Sequence, residues 1–567
     1  MNQSKHLSLH YLVLAGVIAL GAVLRFWNLD LKPFWLDEVL TALLSLGHRY
    51  QDVPLEVVFS PATLHELFTL QPNLSCSDIA QAVATESTHP PLFFCLMHQW
   101  LNGVEPIAQP LSWKLRALPA LLGVGAIASI YCLNRIAFSP TAGLMGAAFM
   151  AVSPFAVYLS QEARHYTLPV LLIILALLGL MHIQHTLHSR KQFPQPIVWL
   201  LWGVVNSFGC YVHYFFILAF IAQLLTLIGL MYWRRRMVPK SSWLAVTLVV
   251  MGVAISYLPW LPIVLGDFGR PETSWLPKPQ HLAPLYQTLV GWLSMVIALP
   301  VEGQPLWIQV ISALLTIVFG IWVAQHSIRG FQQLWRQQET RIATLTLSGF
   351  ILCVLLQFLA IIYLLGKDIT IAPRYHFVYY PAICALLGAS FASRRLNIRK
   401  LKVESLNLSS NLQPSSLQPS NLQPPNLQPP NLQPSNLQPA TVFLSISLVS
   451  CIFVVSNLSF LKSFHPQQVA QHMNLEPTIP MMMVVGYQNF QDVALGLSFA
   501  LAIDQLKHNN NQTAAPSFIF LHPEQFYESV WQKLSKLQTS PLPRLNLWVV
   551  APGLRRREYP KQLTLAN

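Results

Sequence analysis

Eleven stretches of this chain are long and apolar enough to be read as membrane helices, and that repetition limits the fold more than any other feature. A spanning helix needs about 20 mostly apolar residues. The first such run covers about residues 9–27. Others lie near 113–135, 140–157, 166–187, 197–212, 214–233, 242–264, 305–327, 342–365, 375–393 and 441–460. No small-residue cleavage site follows the first run, so it reads as a retained helix and not a signal peptide. The stretch 284–300 is shorter and bounded by proline, which suits an interfacial or re-entrant helix better than a span. Composition agrees: 53% of residues are hydrophobic and 10% charged, against about 25% charged in a soluble chain.

The net charge of +13 does not indicate a nucleic-acid surface, because the basic residues sit in short clusters between apolar runs. Such clusters mark the cytoplasmic side. With the N-terminus inside, Arg135, Arg190-Lys191, Arg234 to Arg236, Arg329 to Arg341 and Arg394 to Lys400 all fall inside. The loop 28–112 falls outside, with Lys32 and Arg49 as its basic residues. Seven cysteines show no CxxC and no metal-ligand spacing. Cys76 and Cys95 share the first loop and are able to pair if it is extracytoplasmic, although spacing alone does not decide this.

Residues 411–440 are six copies of a five-residue unit of the NLQPS type. A proline every fifth residue forbids helix and disfavours sheet, so 396–440 is expected to be a disordered cytoplasmic linker. After the last span, residues 461–567 alternate short apolar runs with helix-like stretches at about 490–507 and 523–537. This pattern predicts a small extracytoplasmic α/β domain with parallel strands. The expected fold is therefore an all-α polytopic membrane protein of about eleven spans, ten of them within 1–395, then the linker, the last span at 441–460, and that α/β domain. Arg555 to Arg557 would lie outside against the charge bias, which translocated domains escape.

Four charged features stand on the outer face. Pro33-Phe34-Trp35-Leu36-Asp37-Glu38 follows the first span. Asp37 and Glu38 open an apolar run, Val39 to Leu46, which looks like a helix lying on the membrane surface. The plain reading of Asp37 is a helix N-cap; the functional one is a general base at the lipid–water boundary. His89-Pro90-Pro91-Leu92 closes the same loop, and there a structural turn explains the prolines equally well. Ser153-Pro154-Phe155 runs on to Gln161-Glu162-Ala163-Arg164-His165-Tyr166 in a tight outer turn. A local Glu162–Arg164 ion pair is its plain reading. Lys367-Asp368 precedes Pro373-Arg374-Tyr375. An arginine fork suits phosphate, and interfacial snorkelling is the alternative for Arg374.

The order of these features resembles the polyprenyl-phosphate-dependent glycosyltransferases related to protein O-mannosyltransferases and lipid A aminoarabinose transferases, of the membrane GT-C superfold. The resemblance rests on R-F-W-N and F-W-L-D-E (25–38), H-P-P-L (89–92), W-K-L-R-A-L-P (113–119), Q-E-A-R-H-Y (161–166) and P-R-Y (373–375). It covers roughly residues 9–395 and reaches neither the linker nor the C-terminal region. It implies an inverting glycosyltransferase of a bacterial plasma membrane, with a polyprenyl-phosphate sugar as donor. The acceptor would be a protein, lipid or glycan, and membrane lipid is a further partner. Asp37 would be the base, with Glu38 and Glu162 as further catalytic acids. Arg374, Arg116 and Lys367 would face the donor phosphate, and His89, Arg164, Tyr166 and Tyr375 would position substrate. A divalent cation, Mg²⁺ or Mn²⁺, stays open, with Asp37 and Glu162 as its ligands. The rival readings are a transporter, which would place charges near the midplane, and a non-catalytic scaffold.

Overall fold

The computed structural model describes residues 2–190, 193–236, 238–267, 276–393, 439–510, 514–524, 528–536 and 545–554. The repeats up to residue 438, and the basic residues Arg394, Arg395 and Arg555 to Arg557, lie outside the described residues. Among the described residues seven helices are long and apolar enough to cross a membrane, so the chain is an integral multi-pass membrane protein. Pro140–Ala151 and Pro154–Ser160 form an eighth span if this pair, bent by 59°, is taken as one. The apolar helices Pro196–Cys210, Tyr380–Ser393 and Pro439–Val455 are shorter, and about eleven spans result only when they are counted too. Ala283–Ser294 has 12 residues, too few to span.

The bend at residues 152–153 exposes backbone carbonyls in a region where lipid offers no hydrogen bonds. Arg25, at the end of the first helix and fully buried, meets that need. Its Nη2 donates to the Met150 carbonyl at 3.0 Å and its Nη1 to the Ala151 carbonyl at 3.2 Å. Ser153 caps the second half by accepting from Ala156 N, and its hydroxyl donates to the Met295 carbonyl at 2.7 Å. Glycines permit close helix contact nearby: a Cβ on Gly388 would stand 2.6 Å from the Gly146 backbone.

Outside the bundle, three parallel strands run in the order β2-β1-β3, with β1 (Met481–Gly486), β2 (Ser517–Leu521) and β3 (Asn546–Val550). β1 is buried along its whole length, as an uninterrupted apolar run in a covered parallel sheet should be. The helix Phe490–Asn509 starts at Asn489, whose side chain accepts from Gln491 N and Asp492 N. Thus the expected all-α membrane body and small C-terminal α/β domain are both present.

That domain shares a core with the first loop. Phe59 exchanges two backbone hydrogen bonds with Phe518, 2.9 and 3.0 Å, and Glu56 N donates to the Phe520 carbonyl at 2.8 Å. Val39, Leu43, Tyr50 and Phe59 pack in one cluster with Met483, Val485, Leu497 and Phe518. The helix Leu36–Leu46 is therefore not a surface helix. Val39 and Leu43 are fully buried, because the C-terminal helix Phe490–Asn509 and the neighbouring loop helices cover the face expected to meet lipid. Cys76 and Cys95 are joined by a disulfide within this loop, as an oxidising compartment permits.

Candidate active site

Asp37 and Glu38 sit in the first turn of Leu36–Leu46, where the helix N-terminus favours acids. Trp35 is the N-cap and makes no side-chain cap. Asp37 is thus not the cap, and the plain explanation for it falls away. The two carboxylates point into different surroundings.

Glu38 is 1% exposed and meets an equally buried Arg116. Arg116 Nε and Nη2 donate to its two oxygens at 2.8 and 2.6 Å, and Ala163 N adds a third bond at 2.8 Å. The remaining donors of Arg116 reach the carbonyls of Leu29, Lys32 and Pro33. Arg116 therefore ties the first-loop entry, through Glu38, to the turn at 161–166. Neither residue lines the cavity described next, so the structure offers Arg116 no route to a donor phosphate.

Asp37 opens onto a cavity of about 460 Å³. His89, Arg164, Tyr166, Lys367, Arg374 and Tyr375 line it as well. Arg374 Nη2 stands 3.4 Å from Asp37 Oδ2. Arg164 donates to the Asp37 carbonyl at 3.0 Å and to Thr41 Oγ1 at 2.8 Å. Burial pushes the Asp37 carboxyl up, but Arg374, Arg164 and Lys462 outweigh it and hold the group below the usual carboxylate value. Burial opposes the charge of Arg374 too, yet Tyr166 and Asp37 keep it firmly protonated. The wall facing these charges is apolar: Phe215, Ile217, Leu218 and Ile361 come from spanning helices, and Leu365 caps the second of them.

Three imidazoles form one side of the cavity region. His165 lies 4.7 Å from both His89 and His213, centroid to centroid, with its ring tilted against each. Burial, with neighbouring Arg164 and Arg374, drives all three well below their usual pKa. Arg164 Nη2 lies 3.4 Å from His89 Nε2. Arginine only donates, so His89 Nε2 accepts and its proton sits on Nδ1, toward Ser87. Phe215 N donates to His213 Nδ1 at 3.0 Å, which leaves the His213 proton on Nε2.

Glu162 is 2% exposed and pairs with Lys462, not with Arg164. Its role as a metal ligand fits poorly. One oxygen is engaged by the Lys462 ammonium, and Asp37 already faces Arg374 and Arg164. Among the described residues no three His, Cys, Asp or Glu side chains are grouped to hold a metal ion. A divalent cation would enter a field already rich in fixed positive charge.

Residues that the motif reading passed over complete the site. His213, Glu86, Phe490 and Gln491 line the cavity, and Phe490 stacks on Tyr50 with centroids 3.5 Å apart. His213 was open to detection, as an ionisable residue in a short turn between two spans. Phe490, Gln491 and Lys462 carry no local signal.

Residues 88–260 match the family model described as dolichyl-phosphate-mannose-protein mannosyltransferase. This part of the chain is related to that family. The match covers less than a third of the chain and holds His89, Glu162, Arg164, Tyr166 and His213. No curated protein matches in sequence. Among solved structures, ArnT from Cupriavidus metallidurans in the apo state aligns with a TM-score of 0.49 at 12% identity, covering 95% of this chain and 92% of that one. The same protein bound to undecaprenyl phosphate gives 0.48 at 12%, over 94% and 91%. The oligosaccharyltransferase AglB from Archaeoglobus fulgidus, in complex with an inhibitory peptide and a dolichol-phosphate, gives 0.44 at 14%, over 87% of this chain. The present chain spans 63% of that one's length.

Proposed function

We propose that the protein is a membrane glycosyltransferase that moves a sugar from a polyprenyl-phosphate donor to an acceptor hydroxyl on the extracytoplasmic face. The observation that carries this reading is the cavity, where an ionised carboxylate and an arginine fork meet beside an apolar wall. A lipid phosphate needs all three surroundings: hydrocarbon for its tail, cations for its charge, and a base near its sugar. The family match over 88–260 supports the same donor class.

In this reading the acceptor hydroxyl gives its proton to Asp37. Its oxygen bonds to the anomeric carbon while the bond from that carbon to the phosphate oxygen breaks. The electron pair leaves with the lipid phosphate, whose charge meets Arg374, with Lys367 on the same cavity wall. A single displacement of this kind inverts the anomeric centre. Arg164 holds the Asp37 backbone, and the neutral His89 beside it accepts from that guanidinium. A transporter fits less well, because the ionisable residues gather in outer loops instead of at broken helices near the midplane.

The test uses full-length protein in lipid nanodiscs, with labelled sugars on polyprenyl phosphate or on nucleotide and a panel of protein, lipid and glycan acceptors. Transfer from the lipid-linked sugar alone is expected. Transfer from the nucleotide sugar alone, or from neither, would remove the reading.

A further inference from the structure

Lys462 lies beyond the last described span, outside residues 88–260 and far from the outer-loop motifs in sequence. It nevertheless packs directly behind the residues that line the cavity. Its Nζ pairs with Glu162 Oε1 and donates to the Tyr158 hydroxyl at 3.2 Å. It also stands 4.1 Å from the centroid of the Trp35 ring and 4.7 Å from that of Tyr158. A cation over an aromatic face is attracted by the ring quadrupole, more strongly when water is kept away.

The turn that delivers Lys462 is held in an unusual backbone state. Phe460 has a φ of 57°, a region that bulky residues seldom occupy, and Asn457, of a residue type that enters it readily, has 55°. Such strain persists only where surroundings enforce it. Here Phe460 stacks on Tyr158 with centroids 4.4 Å apart, and Ser459 donates to the Ala298 carbonyl at 3.1 Å. Asn28 reaches the Val455 carbonyl at 3.4 Å.

Trp35 links this lysine to Asp37. The Trp35 carbonyl accepts from Glu38 N and Val39 N, at 2.9 and 3.1 Å, and so begins the helix that carries Asp37. The same ring has the Arg374 guanidinium 5.6 Å from its centroid. One aromatic ring thus stands in contact with Lys462 and with the cation paired to Asp37.

We propose that Lys462 is a positioning residue for the transfer reaction, holding Glu162 and the Trp35 ring so that Asp37 and Arg374 keep their mutual geometry. The inference rests on the glycosyltransferase reading above. It also gives the C-terminal part of the chain a defined task in chemistry that the first loop performs. The plainer role, a counter-charge for a buried carboxylate, makes a different prediction. A buried ion pair can be replaced by neutral side chains without loss of folding, so a mere counter-charge becomes dispensable once Glu162 is neutral.

The experiment compares Lys462→Met, Lys462→Arg and the neutral pair Lys462→Met with Glu162→Gln, all in full-length protein in nanodiscs. The readouts are kcat, the KM for the lipid-linked sugar, and melting temperature. A small displacement of reacting groups costs about 10²-fold in rate. The expected result is a kcat loss of that order in Lys462→Met, with KM little changed, and recovery of most of the rate in Lys462→Arg. The neutral pair, which carries no uncompensated charge, should melt normally and stay as slow as Lys462→Met. If the neutral pair regains full kcat, or Lys462→Met keeps it, the inference is overturned while the glycosyltransferase reading stands. Absence of transfer by the unsubstituted protein would overturn both together.

Discussion

Two neighbouring acids, Asp37 and Glu38, each meet an arginine, and the two pairs are built differently. Glu38 and Arg116 are both 1% exposed, bound through two short contacts, with every other donor of the fork aimed at a backbone carbonyl. Asp37 and Arg374 are 14% and 18% exposed, meet once at 3.4 Å, and face a cavity. The first pair leaves no room for a ligand. The second is loose enough for a substrate phosphate to take over the guanidinium. Saturated hydrogen bonding among buried groups marks the pair that holds the fold, and the cavity-facing pair is the one proposed for chemistry.

The largest effect on folding should come from Arg116→Ala. Removing one partner of a buried pair costs about 3–5 kcal/mol, and here it also strands the carbonyls of Leu29, Lys32 and Pro33. Melting temperature and yield of inserted protein should both drop sharply. An Arg116→Ala protein that melts normally would break the distinction between the two pairs.

Arg374→Lys should do the reverse. It keeps the charge beside Asp37 but loses the planar fork that suits phosphate. Turnover and donor affinity should fall by about tenfold, the rate equivalent of one lost hydrogen bond to a charged group, with melting little changed. Unchanged affinity for the lipid-linked sugar would remove Arg374 from the phosphate site.

A smaller effect separates the sites by pH. His89, His165 and His213 have pKa values lowered by burial and by Arg164 and Arg374. The folded protein keeps them neutral, while the unfolded chain takes up protons near pH 6.5. Stability is therefore full above about 6.5 and declines as pH falls below it. Activity, in contrast, should show no inflection from these imidazoles; burial pushes Lys462 down to about 7, so a titration in that region is expected to move in Lys462→Arg. An inflection near 6.5 that stays unchanged in Lys462→Arg would mean that one of the imidazoles carries charge in the cycle.

Much of the site was open to sequence reading because its residues recur in short motifs on one membrane face. Asp37, His89, Arg164, Tyr166, Lys367, Arg374 and Tyr375 meet in one cavity although the chain separates Asp37 from Arg374 by eight spanning or apolar helices and their loops. The roles were harder to read than the positions. Arg116 stands in a motif with the other residues, yet only geometry reveals that Glu38 and three carbonyls consume all its donors. The parallel sheet was legible from its apolar runs. Its docking onto residues 55–59 was not, since so short a segment has no periodicity to measure. Lys462 gave no signal at all: a lone lysine after a span resembles any interfacial lysine until its partners, Glu162 and Trp35, are seen in space.

The central claim is that Asp37, not Glu38, takes the proton. The measurement is glycosyl transfer by purified Asp37→Asn and Glu38→Gln proteins, with melting recorded for each. Burial raises the Asp37 carboxyl, but the surrounding cations outweigh that and hold it below the usual carboxylate value, so it is ionised throughout the neutral range and ready to act as a base. The account predicts that Asp37→Asn loses about 10²–10⁴-fold in transfer while inserting and melting normally, and that Glu38→Gln loses chiefly stability. Full transfer by a well-folded Asp37→Asn protein would contradict it.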